Sequence, residues 1–150
     1  MRLLISACLL GEPCRYDGAS KPLQGRQLEA LLQNHTLIPV CPEQLGGLPT
    51  PRTPSERRGT CVVMRDGTDV TAEYERGAAI VCSLARQTGA EAALLKARSP
   101  SCGSGAIYDG TFSGTLTPGD GVTAEALKRM GLPVYTEETF PFQTDGGTEA

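Results

Sequence analysis

Three short apolar runs, each leading into a loop that carries a cysteine, restrict the folding of this chain more than any other feature. Leu3-Leu-Ile5 runs into Ser6-Ala-Cys-Leu-Leu-Gly11, Leu37-Ile-Pro-Val40 into Cys41-Pro-Glu43, and Ala92-Ala-Leu-Leu95 toward Ser99-Pro-Ser-Cys-Gly103. Short apolar runs bounded by turn-forming residues read as buried strands of a parallel sheet. In such a sheet the carboxyl ends of the strands share one edge, and ligands bind along it. Cys8, Cys41 and Cys102 are therefore expected at one edge, although they are far apart in sequence. Three soft ligands rather than four leave a metal or cluster one open coordination position, which suits chemistry better than scaffolding.

Helical periodicity fills the gaps between these runs. Leu28, Leu31 and Leu32 stand at i, i+3 and i+4 and predict a helix of about ten residues from Leu23. Tyr74, Ala78, Val81, Cys82 and Ala85 share one face of a second helix, from about Thr71 to Thr88, with Gly89 placed to cap it. A third helix is expected from about Thr123 to Met130, followed by a strand at Leu132-Pro-Val-Tyr135. Gly46-Gly47, Pro49, Pro51, Pro54 and Gly59 predict an irregular stretch after the second strand. Cys61–Met64, Asp66-Gly67 and Thr68–Val70 predict a small hairpin. A second glycine-rich loop, Arg98 to Gly121, has room for another hairpin around Asp109-Gly110.

Strand–helix alternation with loops enlarged on one side predicts an α/β fold: a three-layer sandwich around a mostly parallel sheet. Glycine- and proline-rich loops should crowd the C-terminal edge of its strands. One domain is expected over residues 1–139, with a polar tail, 140–150, expected to be disordered. At 150 residues the chain is large enough to bury a core without staples. A formal charge of -3 offers no basic footprint for duplex nucleic acid. The apolar start is too short for a signal peptide, and no run approaches the ~20 residues of a membrane span. The expectation is a cytoplasmic protein with a small-molecule substrate and no membrane partner. The oligomeric state stays open.

Six cysteines in a chain of this kind point to metal, redox or catalytic roles rather than disulfides. No CxxC pair is present, which argues against a structural zinc site, and the lone His35 has no histidine partner. Thiolates without histidines favour iron–sulfur chemistry over zinc. Cys61 and Cys82, in a predicted strand and on a helix face, read as small buried hydrophobes. Cys14, six residues beyond Cys8 on the same loop, rivals the other three for a place in the ligand set. Arg15, Arg52, Lys96 and Arg98 fall in the same loop set. Scattered surface charges are the ordinary reading, but converging they would clamp a phosphate or a ring carbonyl. Tyr16, in the turn Tyr16-Asp17-Gly18, has a ring able to stack on a base.

Three long strings carry a resemblance. Ser6-Ala-Cys-Leu-Leu-Gly11 with Cys14-Arg-Tyr-Asp-Gly18, Cys41-Pro-Glu-Gln-Leu-Gly-Gly-Leu-Pro-Thr-Pro-Arg52, and Lys96 with Ser99-Pro-Ser-Cys-Gly-Ser104 resemble the bacterial thiouracil desulfidase family, formerly a domain family of unknown function. The likeness runs over roughly residues 2 to 138. It implies a 4Fe–4S cluster held by three cysteines, with a fourth iron open to substrate sulfur. Carried over by motif, the ligands would be Cys8, Cys41 and Cys102, with Cys14 as the rival. The family's catalytic glutamate matches Glu43. Its catalytic serine falls in Ser99-Pro-Ser101, where Ser99 is favoured and Ser101 stays open. The implied activity is non-redox desulfuration of a thiolated pyrimidine (4-thiouracil or its nucleotide) to the oxo form and hydrosulfide. Glu43 and a serine would activate the water, in a hydrolase or lyase reaction. A non-catalytic iron–sulfur sensor or carrier would use the same cysteines without needing Glu43 or the serines.

Overall fold

The structure, a computed structural model, describes residues 1–20 and 22–142. In chain order it contains β1 (Arg2–Ser6), α1 (Gly25–Asn34), β2 (Thr36–Val40), α2 (Pro42–Leu45), β3 (Ser55–Arg58), β4 (Cys61–Met64) and α3 (Thr71–Thr88). Then follow β5 (Ala92–Leu95), β6 (Ala106–Tyr108), β7 (Leu116–Pro118), α4 (Val122–Arg129) and β8 (Val134–Thr136). The main sheet has the order β2-β1-β5-β8, and every pairing in it is parallel. Two small antiparallel hairpins, β3–β4 and β6–β7, stand outside it.

Strand alternation divides the core into two layers. Leu3, Ile5 and Leu94 pack to one side with Leu31 of α1. Leu4, Ala93 and Leu95 pack to the other with Val81, Cys82 and Ala85 of α3 and Ala124 and Leu127 of α4. Successive residues of a strand point to opposite faces, so runs that are apolar at every position need cover on both sides. The expected three-layer α/β sandwich is the observed fold. Gly89 caps α3 in the left-handed conformation, as its position predicts. Ser6 Oγ at the end of β1 accepts the Lys96 N–H at 2.9 Å, tying two strand ends together where the cysteine loops begin.

Three expectations are corrected. The stretch after β2 is not wholly irregular: it holds α2 and β3. Consequently β4 pairs with β3 rather than with Thr68–Val70, which contributes a single bridge, Val63 to Asp69. Gly59, at φ 58°, permits the tight reversal between Arg58 and Cys61 that counting prolines and glycines as breakers conceals. Cys61 is exposed, not buried, because on β4 the fully buried neighbour Val62 takes the inward face. Residues 140–142 of the expected tail are among those described. Phe140 is 8 % exposed and sits edge-on against His35 and Tyr135, so an aromatic cluster holds the chain there. Residues 143–150, the rest of the expected tail, lie outside the described residues.

Candidate active site

The three strand ends deliver their cysteines to one cavity of about 590 Å³. Cys8 lies in a 3₁₀ turn, Ala7–Leu10, directly after β1. Cys41 follows β2 and precedes Pro42, the first residue of α2. Cys102 closes the loop that leaves β5. Cys8, Cys14 and Cys102 are buried, and Cys41 is half-buried.

Backbone-on-backbone packing fixes two of these loops. A Cβ on Gly77 of α3 would stand 2.0 Å from the Pro42 carbonyl oxygen, and one on Gly46 would stand 2.0 Å from that of Glu73. Only glycines at the crossing let α2 lie directly on α3, and α2 carries Glu43 two residues from Cys41. At the third loop, a Cβ on Gly121 would come within 2.7 Å of the Cys102 backbone nitrogen. The start of α4 therefore presses on the peptide that aims Cys102.

Cys14 stands beside Cys41 and Cys8, within hydrogen-bonding reach of both thiols. Its carbonyl oxygen lies 3.7 Å from Cys41 Sγ. The Cys41 contact pulls the Cys14 thiol down, but the Cys8 contact, burial and the Cys8 and Glu43 charges outweigh it and push it up to about 11. Cys41 is pushed up by the Cys14 contact, by burial and by Glu43. Burial raises Cys102 most, then the Glu43 charge, against hydrogen bonds from the Ser6 and Ser101 hydroxyls. Thiols that crowd one another and a carboxylate keep their protons until a cationic centre replaces them. The donor set therefore fits a soft, positively charged group. Among the described residues no three His, Cys, Asp or Glu side chains gather tightly enough around one metal ion.

Glu43 lines the same cavity. Its side chain is 12 % exposed and stands 3.8 Å from the Arg52 guanidinium. Burial pushes its carboxyl above the ordinary range, opposed by the Arg52 charge. Arg52 is itself committed: it donates to the carbonyl oxygens of Pro49 and Cys14 and to Thr50 Oγ1. It works on Glu43 and the Cys14 loop and has little capacity left for a ligand.

The two serines part company. Ser99 lines the cavity. Its Oγ accepts the backbone N–H groups of Ser101 and Cys102, each at 3.1 Å, which leaves its own O–H free to donate. Ser101 is 0 % exposed and shares a 2.8 Å hydrogen bond with Thr123. It supports the Cys102 loop from behind and is not among the residues lining the cavity.

The mouth is cationic and aromatic. Arg15, Tyr16, Lys96 and Arg98 all border it, so the expected convergence of charges takes place. Lys96 is bound to Glu137 at 2.7 Å, and Arg98 to Glu138. Arg15 lies over the Tyr16 ring at 6.0 Å, with no carboxylate partner among the described residues. Two mouth residues escaped sequence reasoning: Arg65, and Phe112, whose ring the Arg65 guanidinium covers at 5.5 Å. Arg65 sits just past β4, whose partner strand was not foreseen. Phe112 holds φ at 56°, a strained value for a bulky side chain, and Glu56 Oε1 accepts its N–H at 3.1 Å.

Comparison with known proteins bears on this geometry. A model of the 2-thiouracil desulfurase family matches residues 3–139. The chain is 42 % identical over 145 residues to the uncharacterized protein YbbK of Bacillus subtilis (strain 168), covering 90 % of this chain and 95 % of that protein. Among solved structures it is similar to one described as the [4Fe-4S]-dependent thiouracil desulfidase TudS. That likeness has a TM-score of 0.89 at 48 % identity, with 93 % of each chain covered.

Proposed function

The chain belongs to the 2-thiouracil desulfurase family, and from that premise we propose that it removes sulfur from a thiolated pyrimidine with the help of a 4Fe–4S cluster held by Cys8, Cys41 and Cys102. The observation that carries this reading is the arrival of these cysteines, from three separate strand ends, in one cavity that Glu43 also lines. Such a cluster supplies a soft Lewis acid that polarises the thiocarbonyl group and accepts its sulfur.

The protein's own groups do the rest. Glu43, largely buried and with its carboxyl raised above the ordinary range by that burial, takes a proton from the water that adds to the sulfur-bearing ring carbon. Arg52, 3.8 Å away, opposes that rise and favours the ionised form, the one that can accept a proton. Ser99, with two N–H groups fixed on its oxygen, has its proton to give and orients the water or the ring. Water supplies oxygen to the carbon, the carbon–sulfur bond breaks, and hydrosulfide and the oxo-pyrimidine leave. No net electrons move, which places the reaction with hydrolytic or lyase-type chemistry. Arg15, Tyr16 and Lys96 at the mouth meet the substrate first, whether free base or nucleotide.

The test is anaerobic reconstitution with iron and sulfide, followed by sulfide release from 4-thiouracil and from its nucleotide. Release is expected from loaded wild-type protein and is lost in Glu43→Ala with the cluster absorption retained. Equal release by Glu43→Ala would remove the base from the scheme.

A further inference from the structure

Cysteine loops leave the ends of β1, β2 and β5, and the remaining strand of the main sheet, β8, delivers a carboxylate instead. Glu137 directly follows Thr136, the last residue of β8. Its Oε2 stands 2.7 Å from Lys96 Nζ, and its Oε1 accepts the Ala97 N–H at 2.8 Å. The turn that carries Glu137 is closed on Thr136, whose carbonyl oxygen accepts the N–H groups of Thr139 and Phe140. Phe140 is buried in one layer of the core, which fixes the turn. Lys96 is anchored from the other side, its backbone N–H donating to Ser6 Oγ. The two side chains are only 17 % and 18 % exposed. Lys96 lines the cavity, whereas Glu137 is not among the residues lining it.

Stability does not explain such a pair, because desolvating two charges offsets much of their attraction. Its effect on the cavity is more specific. Glu137 neutralises the charge of Lys96, and the adjacent Glu138 does the same for Arg98, so neither cation pulls strongly on an anion. The N–H groups of the ammonium remain. Of its three donors, one meets Glu137 and one points to the Ala97 carbonyl oxygen at 3.4 Å, which leaves one for a cavity occupant. A fixed donor in a neutral pair suits a neutral acceptor, and a charge-assisted hydrogen bond is stronger than one between neutral groups.

We propose that Glu137 is a positioning residue that holds Lys96 as the specificity-determining donor to the ring carbonyl oxygen of the thiolated pyrimidine. The inference rests on the desulfidase reading. A uracil with one sulfur keeps one ring carbonyl, and gripping it fixes the orientation in which the sulfur meets the cysteines. Sites built to hydrogen-bond a substrate group discriminate against analogues that lack it.

A double-mutant cycle tests this. Cluster-loaded wild type, Lys96→Met, Glu137→Gln and the double variant are assayed with 4-thiouracil and with pyrimidine-4-thione, which lacks the 2-oxo group. In wild type the analogue is expected to show a KM about 10- to 100-fold higher, the range of one charged hydrogen bond. That ratio should disappear in Lys96→Met and shrink in Glu137→Gln, and the double variant should match Lys96→Met. An equal ratio in wild type and Lys96→Met overturns the contact. A ratio unchanged in Glu137→Gln, with KM raised alike for both substrates, makes Glu137 merely structural and overturns its positioning role. If Lys96→Met does not fold, Glu137→Gln decides alone, since its ratio must fall. Equilibrium dialysis without turnover gives a second readout: uracil should bind more tightly than pyrimidin-4-one in wild type and not in Lys96→Met. If dialysis shows that coupling but no sulfide is released, the desulfidase reading fails and the contact stands. If sulfide is released and the coupling is absent, the contact fails and the reading stands.

Discussion

The floor of the cavity and its mouth are built by different means. The floor hangs on parallel strand ends and on helix crossings so close that only glycine fits at Gly46, Gly77 and Gly121. Its cysteines are mostly buried, and Ser99 and Arg52 are held by backbone groups. The mouth is made by the two small hairpins, the loop after Cys8 and the segment that leaves β5, with side chains held by ion pairs and ring contacts. A reacting group displaced by an ångström loses much of its effect, whereas a charge that attracts a ligand tolerates displacement. The difference assigns precision to the floor and adaptability to the mouth.

Three substitutions sharpen or break that contrast. Glu43→Ala, on the floor, should lower kcat by about 10²–10⁴-fold, or roughly 3–5 kcal/mol of transition-state stabilisation; steady-state sulfide release checks it. Gly77→Ala brings a methyl group against the Pro42 carbonyl oxygen. It should cost about 1–3 kcal/mol of stability, the range for overpacking a close contact, measured by urea unfolding. A neutral effect would mean that α2 is free to shift and that the floor is not rigid. Arg65→Ala, at the mouth, removes a guanidinium stacked on Phe112. It should change stability by no more than about 0.5–1 kcal/mol while raising KM, with kcat unchanged. A fall in kcat instead would give the mouth a part in the chemistry.

The smallest effect lies outside both regions. Burial and then the N-terminal charge hold His35 below its ordinary range, and its Nδ1 lies 3.1 Å from the Met1 amine. The unfolded chain therefore takes up the proton first. The contribution of His35 is fully present above the unfolded value near pH 6.5 and is lost as pH falls through the folded value. The urea midpoint of wild type should drop slightly more between pH 7.5 and about pH 5 than that of His35→Gln.

What was legible in the sequence follows the same division. The floor could be foreseen because each cysteine sits within a few residues of the end of an apolar run, and strand ends in a parallel sheet meet at one edge. The main helices announced themselves through apolar spacing and a terminal glycine. Ser99 and Ser101 could not be separated from spacing, since only the fold shows that one faces the cavity and the other faces Thr123. The mouth was legible only in part. Arg15, Tyr16, Lys96 and Arg98 lie next to the cysteine motifs, but Arg65 and Phe112 arrive through hairpin pairings. Ser55-Glu-Arg-Arg58 forms β3 with no apolar alternation to mark it, because its partner β4 supplies the inward Val62. Local pattern cannot disclose a strand that exists through its neighbour.

The most direct test of the central claim is the iron and acid-labile sulfide content of anaerobically reconstituted protein, measured for single Cys→Ser variants at positions 8, 14, 41 and 102. Loss of cluster from Cys8→Ser, Cys41→Ser and Cys102→Ser, with a full complement retained in Cys14→Ser, is the predicted result. A cluster that survives in any of the first three, or vanishes in Cys14→Ser, would contradict it.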